Sequence, residues 1–489
     1  MEVTIPQGTF RGARVGDVLT FKGIPYADAP VGALRFAAPE PPPPHEGVRD
    51  ATAYGPTVSA PPQRSAVIDA LLPDPVRPGF DGLNLNIWTP DTAGSRPVLV
   101  WIHGGGFVTG AGSTTAFDGA AFARDGVVVV TINYRLAVEG FLLLPDRVAN
   151  RGLLDQLAAL TWIRDNIAAF GGDPGRVTVA GESAGAMSVL TLLAMPRSAG
   201  LIRRAISQSG DGHHVHTAEV ASIVTRELGV ELGLEPTAES LETVPVEALH
   251  QATNAVISRL SAGKDPRFAP FTRLVLQPVI DGDTLPQHPV EAARAGAGSE
   301  VDLMLGWNAQ EYGLFCAPTG LVDTLTDEAL HGTVARLGVD AGAVISAYRE
   351  QLPDADPAEL FVAIQSDWFC RVPSMRYAEA RHAAGTPAHV YEFAWQPETF
   401  GGRLGACHTL EIPFVFDTLA DPWGEGLRGR GAPQSLADTV HSTWVRFVTE
   451  GDPGWPVYDD GRRVCRIDID SVTVTDPDGY RRRVWDGRL

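Results

Sequence analysis

Val177-Thr178-Val179-Ala180-Gly181-Glu182-Ser183-Ala184-Gly185 decides the fold of this chain. Residues 177–180 form a short, largely apolar run of the kind a buried parallel strand shows, and residues 184–195 read as a helix. Between them, Gly181-Glu182-Ser183-Ala184-Gly185 fits the pattern G-x-S-x-G, in which small flanking residues let the backbone turn sharply and lift a serine hydroxyl off the sheet. The pattern occurs once in the sequence. Its strand-turn-helix setting is the one that such a turn requires, so Ser183 is the candidate nucleophile.

Working outward, residues 98–102 and 127–132 are two further apolar runs that read as buried strands,. A helix falls between the second of these and the run at 177–180. Leu153, Leu157, Leu160, Ile163, Ile167 and Phe170 are spaced by 4, 3, 3, 4 and 3, which places one apolar stripe on a helix that Gly171 and Gly172 end,. Runs at 274–280, 301–305, 389–395 and 464–469 read as later strands with helical stretches between them. The class is therefore α/β, with a mostly parallel central sheet. The alternating stretch 1–12 reads as a first strand and has no basic start followed by an apolar run, so no signal peptide is expected. The proline-rich segments 39–44 and 60–79 read as extended surface wrapping. No flexible linker interrupts the chain, and one large domain with insertions is expected.

With 44% hydrophobic and 20% charged residues in a chain of 489, there is enough apolar material for a large core,. Thirty-nine basic against fifty-nine acidic residues give a net charge of −20. Such a field repels phosphate backbones and anionic lipid, so neither nucleic acid nor a membrane surface is expected as a partner. No apolar run approaches the roughly 20 residues needed to cross a bilayer. Four cysteines (Cys316, Cys370, Cys407, Cys465), none at CxxC spacing, argue against a disulfide framework and a zinc ribbon,. Free thiols in a reducing, cytoplasmic compartment are expected.

A serine attacking an acyl carbon creates an oxyanion, which fixed backbone N–H donors stabilise without reorganising. His103-Gly104-Gly105-Gly106-Phe107, directly after the strand 98–102, supplies a glycine-rich loop for that purpose,. Together the motifs make the chain resemble the type-B carboxylesterases, the α/β-hydrolase family that also holds the cholinesterases and bacterial p-nitrobenzyl esterases. The resemblance covers nearly the whole chain. It runs through Phe21-Lys22-Gly23-Ile24-Pro25-Tyr26-Ala27, Leu83-Asn84-Leu85-Asn86-Ile87-Trp88, Asn133-Tyr134-Arg135, Phe170-Gly171-Gly172-Asp173-Pro174 and Gln208-Ser209-Gly210. It implies a single α/β-hydrolase domain over residues 1–489, with oxyanion donors at Gly105, Gly106 and Ala184. It also suggests Ser209 as a hydrogen-bond partner of the catalytic acid.

In this fold the acid and the histidine follow the serine in that order. His408, in Gly405-Ala406-Cys407-His408 beyond the strand 389–395, matches the family's general base context. Glu311, in Gly306-Trp307-Asn308-Ala309-Gln310-Glu311, just beyond the strand 301–305, resembles the acid loop, with Asp302 and Glu411 as alternatives. Glu182 reads as a buried structural carboxylate. The function implied is a serine carboxylesterase acting on small to medium acyl or aryl esters without metal or organic cofactor. Its activity is expected to fall as pH drops through the His408 pKa, about 6.5 when unperturbed. A carbamate or amide hydrolase using the same residues, or a non-catalytic binding module, are the alternatives.

Two departures from the family pattern stand out. Gly82 follows Asp81 where secreted members have a cysteine, and Phe80 replaces an acidic residue, which leaves Arg35 without its expected partner, while Arg135 and Asp155 remain able to pair. His213, His214 and His216 form a cluster read as polar pocket lining or a solvated loop, not as a metal site, since no acidic or cysteine ligand completes it,. Cys407 reads as a small buried residue. The segments 261–273 and 317–351, and the surroundings of Phe369, are expected to shape the pocket.

Overall fold

The computed structural model describes residues 1–62, 65–263, 265–268 and 274–488. Its centre is an 11-stranded sheet. In chain order the strands are β1 (Ala13–Val15), β2 (Val18–Pro25), β3 (Asn84–Thr89), β4 (Arg96–Ile102), β5 (Val128–Ile132) and β6 (Gly172–Glu182). They continue with β7 (Arg204–Gln208), β8 (Asp302–Asn308), β9 (His389–Phe393), β10 (Arg463–Ile467) and β11 (Val472–Thr475). Across the sheet the order is β11-β10-β9-β8-β7-β6-β4-β5-β3-β2-β1. Strands β4 to β10 run parallel, and the outer strands pair antiparallel. Parallel strands are covered on both faces, which is why β5 (Val-Val-Val-Thr-Ile) is buried at every residue instead of alternating,.

Two helices set up the site. Helix α1 (Arg151–Asn166) buries Leu153, Leu157, Leu160 and Ile163, and the 3-10 turn after it ends at Gly171, whose φ of 83° needs glycine,. Helix α2 (Ala184–Ala194) is buried along its whole length and packs on β6. Strand β5 lies on one side of β4 and β6 on the other. The carboxyl ends of β4 and β6 therefore border a switch point, where open α/β sheets form their ligand crevices,. No helix among the described residues is long and apolar enough to cross a membrane.

Two expected strands differ. Residues 1–12 form a hairpin, Glu2–Ile5 against Gly8–Arg11, which joins Val48–Asp50 in a separate three-stranded sheet. Pro6 and Gln7 make the turn, so the alternation continues across a reversal of direction,. Of 274–280 only Val279–Ile280 pairs, with His216–Thr217. Pro278 has no N–H to donate to a ladder, and its carbonyl accepts from the His216 N–H at 2.8 Å instead,.

The Arg135 guanidinium meets both oxygens of the buried Asp155, at 2.9 and 2.7 Å, as the sequence led one to expect. Arg35 is a correction. It is not left alone: its Nε donates to Glu139 Oε1 at 2.6 Å, and the carboxylate comes from a helix (Ala137–Phe141) far from residue 80 in sequence. Phe80 stands out in solvent. Because Arg35 and Glu139 are each nearly buried, Glu139→Gln is expected to destabilise the fold by about 1.5–3 kcal/mol, the range for hydrogen bonds to charged groups. A urea midpoint equal to that of the wild type would contradict this.

Candidate active site

Ser183 follows β6 directly with φ 56° and ψ −125°, a backbone conformation that side-chain-bearing residues rarely adopt,. The turn is tight enough that a Cβ on residue 185 would stand 2.0 Å from the Ile102 carbonyl oxygen at the end of β4, so only glycine fits. Ala184 opens α2, where the first N–H groups have no acceptor within the helix,. The glycine loop leaves β4 alongside. Gly105 has φ 109°, and a Cβ there would meet the Thr109 carbonyl oxygen at 2.2 Å. His103 anchors this loop: its ring stacks on Tyr134 at 4.5 Å, and the Tyr134 hydroxyl donates to the His103 carbonyl at 2.9 Å. Burial pushes the His103 ring down to about 4, so it is neutral,.

Glu311 lies on the loop after β8 and His408 on the loop after β9. His408 Nε2 is 2.9 Å from Ser183 Oγ, and its Nδ1 is 2.6 Å from Glu311 Oε2. An ionised carboxylate only accepts, so Nδ1 carries the proton and Nε2 is free to accept from the serine hydroxyl. The other Glu311 oxygen accepts the Asn308 N–H at 2.8 Å, and the His408 N–H donates to the Glu311 carbonyl at 3.1 Å. All three side chains of this chain of contacts converge at the carboxyl ends of parallel strands.

Glu182 approaches more closely than its reading as a structural carboxylate implied, with Oε1 at 3.2 Å from His408 Nε2. Burial pushes the Glu182 carboxyl up to about 8, with His408 pulling the other way. Burial by itself would lower His408, but the Glu182 and Glu311 carboxylates outweigh it and hold the imidazole above its ordinary value,. Glu411 does not face the imidazole. Its oxygens accept from Gln208 Nε2 at 2.9 Å and Asn308 Nδ2 at 2.6 Å, neutral amides both. Asp302 stands at the far end of β8, paired with Arg203 at 3.0 Å.

The Ser209 hydroxyl differs from expectation. It is buried and makes no hydrogen bond among the described residues, while Glu311 Oε1 accepts the Asn308 N–H. Only the Ser209 backbone engages, its carbonyl accepting from the Cys370 thiol at 3.3 Å. The histidine cluster does not share a centre. Asp211 takes the His213 N–H at 2.6 Å and His214 Nδ1 at 2.8 Å, whereas His216 Nε2 turns to the Val275 carbonyl at 3.1 Å. Among the described residues, the one group of three ligand-type atoms within 4.8 Å is Glu311, Cys370 and His408. The four cysteines are free and buried; burial pushes Cys316 to about 12 and Cys465 to about 11, and raises Cys370 and Cys407 strongly.

Ser183 opens into a cavity of about 240 Å³ walled largely by Leu274, Leu314, Phe315, Phe369, Ile412 and Trp423. Phe369 is there as expected. No described residue of 317–351 lines the cavity; its helices Asp327–Ala335 and Ala341–Gln351 pack on each other and on helix Pro357–Ser366. Of the segment 261–273, residues 264 and 269–273 lie outside the described part. Pro62, Ile68 and Leu72 also line the cavity, from a segment read only as surface wrapping; a short helix (Ala66–Leu71), capped by Ser65, turns it inward.

A mostly parallel sheet, a strained serine at a strand end and a glycine loop beside it define a class, and the chain falls in it: it is a carboxylic ester hydrolase of the α/β-hydrolase fold. It belongs to the carboxylesterase family, whose model matches residues 1–472. It is 38% identical to the para-nitrobenzyl esterase of Bacillus subtilis (strain 168), over 98% of this chain and 97% of that protein. It is 35% identical to the phenmedipham hydrolase of Pseudarthrobacter oxydans, over 96% of this chain and 94% of that one. Among solved structures, a carboxylesterase of Geobacillus stearothermophilus superposes with a TM-score of 0.86 at 37% identity, covering 99% of both chains.

Proposed function

We propose that the chain is a serine carboxylesterase that hydrolyses short to medium acyl or aryl esters through Ser183, His408 and Glu311. The observation that carries this reading is one imidazole bridging a serine hydroxyl at 2.9 Å and a carboxylate at 2.6 Å,. His408 takes the Ser183 proton as Oγ attacks the ester carbonyl. Glu311 keeps the imidazole in the required tautomer and stabilises the imidazolium. The N–H groups of Gly105, Gly106 and Ala184 hold the oxyanion. His408 then protonates the leaving alcohol, and water repeats the sequence to release the acid from Ser183. The mostly apolar, modest cavity suits a small uncharged ester as the partner,. In this reading residues 1–489 act as one α/β-hydrolase domain, supported by a sheet whose strands run from Ala13 to Thr475.

The test is to trap the covalent intermediate. Rapid acid quench of p-nitrophenyl butyrate turnover, followed by proteolysis and mass spectrometry, is expected to find the butyryl group on the peptide that contains Ser183. Turnover with the label on another residue would replace the nucleophile, and a folded protein that turns over no ester would remove the reading.

A further inference from the structure

Helix Pro357–Ser366 does not continue smoothly into helix Val372–Ala383; a π turn, Asp367–Arg371, joins them. Pro373 explains the interruption. It has no N–H for the carbonyl four residues earlier, that of Phe369, and its ring crowds that carbonyl, whereas the Val372 N–H reaches back five residues to Asp367,. The widened turn sends its side chains in two directions. Towards the site, Phe369 forms part of the cavity wall with its ring 6.1 Å from that of His408, and the Cys370 sulfur lies within 4.8 Å of the Glu311 and His408 ligand atoms. Away from the site, Asp367 and Arg371 meet the last residues of the chain.

That second contact is extensive. Arg481 grips the fully buried Asp367 with Nε at 2.6 Å and Nη2 at 2.7 Å. The Tyr348 hydroxyl donates to the same carboxylate and accepts from Trp485 Nε1 at 2.9 Å. Arg371 donates to the Pro477 carbonyl and lies over the ring of Trp307 in β8, the strand that leads to Glu311. A π turn costs backbone hydrogen-bond quality and persists where its surroundings hold it. Here two of its residues, Asp367 and Arg371, are tied to the carboxyl-terminal segment.

We propose that the carboxyl-terminal residues Arg481 and Trp485 clamp the π turn through Asp367 and Tyr348, and that Arg481 is a positioning residue which sets the size selectivity of the site by fixing Phe369. This inference rests on the esterase reading above. A longer acyl chain fills more of the cavity than an acetyl group and so meets more of its wall, so a loosened clamp is expected to change the two substrates unequally,.

The experiment compares kcat/KM for p-nitrophenyl acetate and p-nitrophenyl hexanoate in the wild type, Arg481→Lys and Tyr348→Phe, with circular dichroism and Tm for each. Lysine keeps the charge on Asp367 but loses the bidentate geometry; Tyr348→Phe deletes one hydroxyl and decides alone if the lysine variant is unfolded. The hexanoate-to-acetate ratio is expected to change about fivefold or more in Arg481→Lys and about threefold in Tyr348→Phe, with acetate turnover within about threefold of wild type. A ratio within about twofold of wild type in the folded variants, or an equal loss on both esters, would overturn the clamp. Wild type inactive on both esters would instead overturn the esterase reading, so the two failures are distinct.

Discussion

Under the proposed mechanism, Ser183→Ala is expected to lower kcat for p-nitrophenyl butyrate by about 10⁵-fold, since the proposed oxyanion donors and the cavity remain but no acyl-enzyme can form. The backbone reason for the residue's strained φ of 56° lies in its neighbours, with Gly185 against Ile102, and alanine tolerates that conformation no worse than serine. The hydroxyl's contact with His408 is lost, but the cavity walls are not. KM is therefore expected to change little, and Tm to stay within a few degrees of the wild type. Activity within tenfold of wild type in a folded variant would place the nucleophile elsewhere.

Glu311→Gln is the second large effect, a loss of about 10³–10⁴-fold in kcat. The amide fills the same space and its oxygen can still accept the Asn308 N–H, so the loop stays closed. What changes is the other half of the side chain, which now donates towards His408 Nδ1. That favours the tautomer with the proton on Nε2, the wrong atom for accepting from Ser183,. The pH profile supplies an independent reading. As the proposed base, His408 works only when neutral, so activity is expected to be lost as pH falls through its pKa. The Glu182 and Glu311 carboxylates raise that pKa against the effect of burial, which places the acid limb of the free wild type above about 6.5, higher than the unperturbed value led one to expect,. Removing one carboxylate lowers the pKa, and the limb of the residual activity moves to lower pH. An unchanged limb with less than a tenfold loss would give the orienting role to Glu182, 3.2 Å from the same ring.

What was legible in the sequence was what local pattern controls. Residues 177–185 carry the strand, the turn and the start of the helix within nine positions, because a tight turn demands glycine at particular places and a doubly covered strand demands an unbroken apolar run,. The loops bearing Glu311 and His408 could be placed after strands for the same reason. The features that escaped were either long-range or carried by signals a residue pattern shows weakly. Glu139 answers Arg35 across 104 positions, and nothing local in either residue announces the other. The Asn308 N–H that Glu311 accepts is a backbone donor, which a residue pattern does not display. Pro278 carried a signal against a strand at 274–280, one outweighed by the apolar run around it,. The helix that folds residues 66–71 over the cavity is too short for periodicity to reveal,.

The four buried thiols have a consequence for the molecule's behaviour in time. A thiol reacts as thiolate and only where a reagent can reach it, and each of these sulfurs is sealed in the interior with its pKa raised,. Alkylation therefore proceeds through molecules that have opened. Cys370 lies beside the imidazole, the Cys407 thiol meets the His408 backbone carbonyl, Cys316 lies at the end of the short helix after Glu311, and Cys465 sits in β10 towards the sheet's edge. The chain thus carries internal clocks in separate regions, each ticking at the rate at which its own surroundings come apart.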